Sequence, residues 1–321
     1  MELNDLLKLY RAMVLLRRFD EMCLELKWKD LIMNGFHPYA GEEAVAVGAC
    51  SVLRHDDVVI SNHRPQGHAL AKGCSARAMF CEMLGRRGGV SQGIGGPMQF
   101  IDSDKGFFCG SIVGSGMSVS TGVGLAMQRE GRRRVCACFF GDGASNTGSF
   151  HEALNLAAIW TLPVVFILEN NQYGEAMPVR EFVSAHPISL RAKAYGLDGV
   201  TVDGNDVEVV ASVVEAGVDK CRHGGGPAFI EAVTYRFEGH YGGDPQWTYR
   251  SREEVARWRA KCPLVRLRSR LIDSGVSEDR LRAIDEQVSQ DLYSDEAWAL
   301  EQPFPTVEQA TSHVMIPLNQ D

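Results

Sequence analysis

The sequence predicts an α/β fold, a parallel sheet with helices on both faces, and three observations carry that expectation. VCACFF (135–140) and PVVFILEN (163–170) are short apolar runs bounded by Gly, Pro or Asn, the form that buried strands take. Between them, SFHEALNLAAIW sets Phe150, Ala153, Leu154, Ala157 and Ala158 on one helical face. Strand, helix and strand at this spacing form a βαβ unit, whose crossover forces the two strands parallel. The alternation then repeats, with helical SLRAKAYG before VTVDGN (200–205) and helical VEVVASVVEAGVDKCR before AFIEAVTYRF (228–237).

The flanks are helical. Leu6, Leu9, Tyr10, Met13 and Leu16 share one face of an amino-terminal arm covering about residues 1–35. GEEAVAVGACSVL follows as a helix of small residues that packs closely, and SNHRPQGHALAKG (61–73) reads as a loop entering a helix. GRRGGVSQGIGGPMQF (85–100) holds six glycines and a proline, too many for a regular element. In the next helix Gly114, Ser118, Gly122 and Ala126 recur every four residues, a stripe that would admit a neighbouring backbone. From Arg252 a charged helical tail, about residues 252–321, is expected to wrap a neighbouring surface. With no repeat and no linker, residues 1–321 read as a single domain.

Composition excludes several classes. With 45% hydrophobic and 23% charged residues the chain has no disordered bias. A net charge of −8 opposes nucleic-acid binding, and Arg132-Arg133-Arg134 reads as a solvated edge beside a turn. Nine scattered cysteines (Cys23, Cys50, Cys74, Cys81, Cys109, Cys136, Cys138, Cys221 and Cys262) include no C-x-x-C pair, which suggests reduced thiols and no zinc site. The acid-containing start MELNDLLKLYRAMVLLRRFDE resembles neither a signal nor a transit peptide, and no run is long and apolar enough to span a membrane. The expected location is the cytoplasm.

The chemistry centres on Gly141-Asp142-Gly143, followed after 26 intervening residues by Asn170-Asn171. Each closes a predicted strand, and open α/β sheets bind ligands beyond the carboxyl ends of their strands. A carboxylate from Asp142, an amide oxygen from Asn171 and a carbonyl near Tyr173 suit Mg²⁺, a hard ion that takes oxygen ligands together with phosphates. The flanking glycines allow the chain to approach phosphates closely, and the helix starting near Thr147 or Gly148 would aim its amides at the anion. Alone, Gly-Asp-Gly is as readily a turn; the strand context and the downstream NNxYG make it a site.

The run FFGDGASNTGSFHEALNLAAIWTLPVVFILENNQYGEAMPV resembles the thiamine diphosphate motif of dehydrogenase E1 α subunits, and GSFHEALNLAAIW resembles the bacterial acetoin and pyruvate enzymes most. HRPQGHALAKG, DKGFFCGSIVGSG and RFEGHYGGDPQWTYRSREEV extend the likeness over nearly the whole chain. The resemblance implies a thiamine diphosphate-binding fold, with Asp142, Asn171 and the Tyr173 carbonyl holding Mg²⁺ and Gly143 touching the diphosphate. It implies that Arg64 also meets the diphosphate, that His63 contacts the cofactor, and that Ile112 and Val113 meet the aminopyrimidine. His240 would be the catalytic-loop histidine that touches the cofactor, in a loop (240–252) that helps order the site. Without the family, Arg64 reads as a surface charge and His240 as a structural histidine.

The chain departs from the family at Gln66, where many relatives have His, and at Pro97-Met98-Gln99, which replaces a Ser-Met-His pattern. Ser111 stands where Gly is frequent, and Tyr241 replaces a serine that is phosphorylated in mitochondrial relatives. Gln66 and Gln99 are amides, which carry no proton near neutral pH. The resemblance further implies acetoin or pyruvate as substrate and a glutamate supplied by a separate β subunit in an α₂β₂ tetramer. A lipoylated E2 acyltransferase would accept the acyl group. A branched-chain 2-oxo acid substrate and a noncatalytic α-like scaffold are the alternatives.

Overall fold

The computed structural model describes residues 1–33 and 35–312, so the last nine positions of the expected tail lie outside the described residues. The chain opens with helices α1 (Leu3–Trp28) and α2 (Glu43–Ser51), then strand β1 (Val58–Ser61), α3 (Pro65–Lys72) and α4 (Ala76–Met83). A hairpin of β2 (Ile101–Asp102) and β3 (Phe107–Cys109) leads to α5 (Ser115–Glu130), β4 (Cys136–Gly141), α6 (Gly148–Ile159) and β5 (Val164–Asn170). A two-stranded ribbon, β6 (Tyr173–Gly174) and β7 (Met177–Pro178), precedes the single turn α7 (Val179–Phe182). Then come β8 (Gly199–Asp203), α8 (Val207–Arg222), β9 (Ala228–Val233), and the tail helices α9 (Arg252–Arg259), α10 (Pro263–Asp273), α11 (Glu278–Glu301) and α12 (Val307–Ser312). Among the described residues no helix is long and apolar enough to cross a membrane.

Seven strands form one sheet in the order β2-β3-β1-β4-β5-β9-β8, parallel throughout except for the β2–β3 pair. The two-residue period of a strand divides its side chains between two cores. Cys136, Cys138 and Phe140 of β4 and Val164, Phe166 and Leu168 of β5 face the core that α5 and α6 cover. Ala137, Phe139, Val165 and Ile167 face the opposite core, which α1, α2, α4 and α8 cover. Both faces are helix-covered, as expected for an α/β sheet of near-continuous apolar strands.

The predicted strands are present, but AFIEAVTYRF leaves the sheet at Val233; the helical SLRAKAYG is wound as a 3₁₀ helix (Ile188–Tyr195). The small-residue stripe on α5 meets no other backbone among the described residues of this chain. Ser118, Gly122 and Ala126 are exposed, and a Cβ on Gly122 would meet nothing within 4 Å. The face of α5 that packs inward carries Met117, Ser120, Thr121, Gly124 and Met127. The surface wrapped by the tail is the chain's own: Tyr10 of α1 donates to Asp285 of α11 at 2.8 Å, and Arg77 of α4 pairs with Asp295 at 2.8 Å.

Order along the sheet locates the ligand site. After β1 the chain moves outward to β3, then crosses back past β1 to β4 and continues outward on the other side. The direction of winding therefore reverses between β1 and β4, and the loops leaving their carboxyl ends part to leave a crevice.

Candidate functional site

A cavity of about 440 Å³ occupies that crevice. Its walls are the segments that follow the parallel strands: Ser61–Arg64 after β1, Gly110–Gly114 after β3, Gly141–Ala144 after β4 and Tyr173–Glu175 after β5, with Asn171, Arg236 and His240. All nine residues singled out from sequence line it: His63, Arg64, Ile112, Val113, Asp142, Gly143, Asn171, Tyr173 and His240.

The carboxylate end of the site is built by a turn at each strand terminus. Asp142 starts the 3₁₀ turn Gly143–Asn146, and its Oδ1 accepts the Gly143 N–H at 2.7 Å. Its Oδ2 is buried with no hydrogen-bond partner. Burial pushes the Asp142 pKa up to about 6, against the opposing pull of the Gly143 amide and of Arg236. An acceptor left without a partner in the interior is costly, so the oxygen marks a place for a cation or donor. Asn171 faces the same space with its amide fixed. Its Nδ2 donates to both Glu42 oxygens, at 3.3 and 3.2 Å, leaving Oδ1 as the free end apart from a long contact with the Tyr173 N–H at 3.4 Å.

The glycines leave room for a ligand. A Cβ on Gly141 would meet no atom within 4 Å, and one on Gly143 would come no closer than 3.6 Å to Gly174 Cα. The helix α6 does not contribute its amino terminus as expected: Ala144 and Asn146 of the preceding turn line the cavity, and Thr147 and Gly148 do not. These residues fit a metal–diphosphate group: an orphaned carboxylate oxygen, an oriented amide oxygen, and glycines with open space above them.

Positive charge meets this wall from the opposite side. Arg64 and Arg236 are buried, 2% and 1% exposed, and neither forms an ion pair with a carboxylate among the described residues. Arg64 donates to the carbonyls of Pro38 and His240, and Arg236 to the carbonyls of Tyr173 and Glu175. The rings of His37 and His63 lie 4.9 and 5.5 Å from that of His240. Burial, together with the nearby guanidinium groups, holds all three imidazoles neutral, with His37 pushed down to about 4, His240 to about 2, and His63 well below the usual range. His37 Nδ1 and His63 Nε2 are buried without partners. Loop 240–252 is tied down within the chain: Asp244 accepts from the His240 N–H and the Tyr249 hydroxyl, and Arg250 donates to the carbonyls of residues 236–238.

Two sequence departures lie just behind the cavity wall, each bonded to a residue of the site or its histidine cluster. Gln66 is buried outside the cavity, where its Nε2 bridges Asp20 at 2.9 Å and the His37 carbonyl at 2.6 Å. Gln99 donates to Ser111 at 2.5 Å, also outside the lining. Sequence reasoning overlooked Glu42, His37 and Arg236. Glu42 was legible only as an acid near a helix start, and Arg236 lies four residues before His240 in a segment taken for strand.

Known proteins resemble this chain over most of its length. The family model described as dehydrogenase E1 component matches residues 10–308. The α subunit of acetoin:2,6-dichlorophenolindophenol oxidoreductase from Bacillus subtilis (strain 168) is 39% identical over 96% of this chain and 92% of its own length. The pyruvate dehydrogenase E1 component subunit alpha of Rhizobium meliloti is 40% identical over 98% of this chain and 90% of its own. The mitochondrial somatic form of the latter from Bos taurus is 35% identical over 97% and 80%.

Proposed function

The chain belongs to the dehydrogenase E1 component family, and we propose that it is the α subunit of a thiamine diphosphate- and Mg²⁺-dependent E1 acting on acetoin or pyruvate. The observation that carries this is the orphaned, buried Asp142 Oδ2 opposite an Asn171 amide that Glu42 has already turned. Asp142, Asn171 and the Tyr173 carbonyl would hold the cation. Gly143 would lie along the diphosphate, and Arg64 would balance its charge. When bound, the thiazolium supplies the nucleophile and electron sink that no side chain provides.

The chain's residues bind and orient. Ile112 and Val113, 71% and 60% exposed at the cavity mouth, offer an apolar shelf for the aminopyrimidine. His63 and His240 stand beside Arg64 as cofactor contacts. The lining carries only two carboxylates among the described residues, Asp142 and the exposed Glu175. That supports a β subunit as the source of the activating glutamate, with the shared site in an α₂β₂ tetramer and a lipoylated E2 as acyl acceptor.

The test is turnover of the α chain mixed with its β partner, thiamine diphosphate and Mg²⁺. Acetoin, pyruvate and a branched 2-oxo acid are tried in turn with an artificial electron acceptor. Activity that needs both chains and disappears in D142A supports the shared site and identifies the substrate. A complex that forms without binding the cofactor sinks the proposal and leaves a scaffold.

A further inference from the structure

The contacts of His240 determine its tautomer. A guanidinium group donates hydrogen bonds and accepts none. Arg64 and Arg236 each place a guanidinium nitrogen 3.2 Å from His240 Nδ1. Nδ1 therefore presents its lone pair, and in the neutral ring Nε2 carries the proton. Forming an imidazolium would require a third N–H aimed at two cationic donors. The other groups facing the ring do not relieve this conflict: His37 and His63 approach as neutral imidazoles, while Asp244 is engaged by the His240 backbone N–H and by Tyr249.

Arg236 is the better fixed of the two donors. It is 1% exposed, and besides His240 it donates to the Tyr173 carbonyl at 3.4 Å, the Tyr249 hydroxyl at 3.1 Å and the Glu175 carbonyl. Those contacts join the ribbon that carries Tyr173 to the loop that carries His240. A buried guanidinium without a carboxylate is costly, and what offsets the cost at Arg236 is its hydrogen bonds to two carbonyls, a hydroxyl and the imidazole.

We propose that Arg236 is a positioning residue that locks His240 as a neutral imidazole with its proton on Nε2, so that His240 serves the cavity as a hydrogen-bond donor and takes no part in proton transfer. The ligand that receives this hydrogen bond is an anion, because two guanidinium groups without a paired carboxylate line the same cavity wall. That half of the inference rests on the diphosphate site proposed above. The tautomer does not, since it is a property of the chain before any cofactor binds.

The experiment is ¹⁵N NMR of the full-length chain, deuterated and labelled at histidine, with the His240 signals assigned through H240N. The expected spectrum shows a protonated Nε2 and an unprotonated Nδ1, unchanged between about pH 5.5 and 8. In R236M the ring should populate both tautomers or titrate within that range, and R236K, which keeps a cationic donor, should restore much of the parental signature. Thiamine diphosphate should bind the α–β complex about 10- to 100-fold more weakly in R236M than in the parent. A parental His240 protonated at Nδ1, or titrating in that range, overturns the proposal, and this reading does not depend on R236M folding. An R236M spectrum matching the parent's overturns the role of Arg236. Loss of cofactor binding in a parent with the expected tautomer would count against the diphosphate site alone.

Discussion

Buried arginines at the two edges of the sheet are treated in opposite ways. At the amino-terminal edge Arg222 of α8 is bidentate to Asp57, just before β1, and Asp57 also accepts the N–H groups of Arg54 and Val135. At the carboxyl edge Arg64 and Arg236 are equally buried and meet only carbonyls, a hydroxyl and an imidazole. Across the cavity Asp142 keeps one oxygen without any partner. A buried ion pair closed on itself is architecture. Buried charges of both signs held apart across a cavity imply that a ligand completes them, because each alone is costly in a low-dielectric setting.

Breaking the closed pair should have the largest effect on stability. R222M leaves Asp57 buried and uncompensated, so chemical denaturation should show a loss of about 3–5 kcal/mol. D142A should do the reverse, removing a carboxylate whose burial is unfavourable. Turnover of the α–β complex should fall at least about 100-fold, while the cofactor-free chain stays as stable as the parent or gains about 1 kcal/mol. A strongly destabilised D142A would erase the distinction between the two edges.

The histidines sharpen the comparison through pH. Their folded pKa values lie below the ordinary value near 6.5, so above that pH both folded and unfolded chains are neutral and the stability is fully present. As pH falls from about 6.5 towards 4, the unfolded chain takes up protons that the folded chain refuses, and stability falls. Each histidine contributes a slope of about 1.4 kcal/mol per pH unit in that window. Burial pushes the Asp20, Glu42 and Asp142 carboxyls up, so the folded chain takes up protons there over an overlapping range and opposes this slope. The check is therefore the difference between parent and H63Q in denaturation at a series of pH values, which should amount to one proton's slope across the window; identical profiles would contradict the neutral cluster. The smallest effect belongs to the exposed seam between α1 and the tail. R11A removes the half-exposed pair with Asp291 and should change stability by no more than about 0.5 kcal/mol.

The ligand wall was legible because it sits at punctuation. Gly141-Asp142-Gly143 and Asn170-Asn171 end apolar runs, and a strand that stops at Gly or Asn announces both its own end and the crevice beyond it. The strands on the other side of the crevice were less legible: VVIS of β1 and FFC of β3 span four and three residues, too short for a periodicity to declare itself. Spacing on α5 identified a face but not its direction, since Ser118, Gly122 and Ala126 repeat as regularly toward solvent as they would toward a neighbour. Arg236 and Glu42 were missed for a different reason. Their roles come from contacts across the fold, Glu42 with Asn171 and Arg236 with Tyr173 and Glu175, and no local pattern marks a charged residue as buried.

The most direct test of the charges held apart at the carboxyl edge is calorimetric titration of thiamine diphosphate into the α–β complex, with and without Mg²⁺, in the parent and D142A. Tight binding that depends on Mg²⁺ in the parent and loses that dependence in D142A is the predicted result. Equal binding by parent and variant, indifferent to the cation, would contradict the assignment of Asp142 as the residue that completes the site.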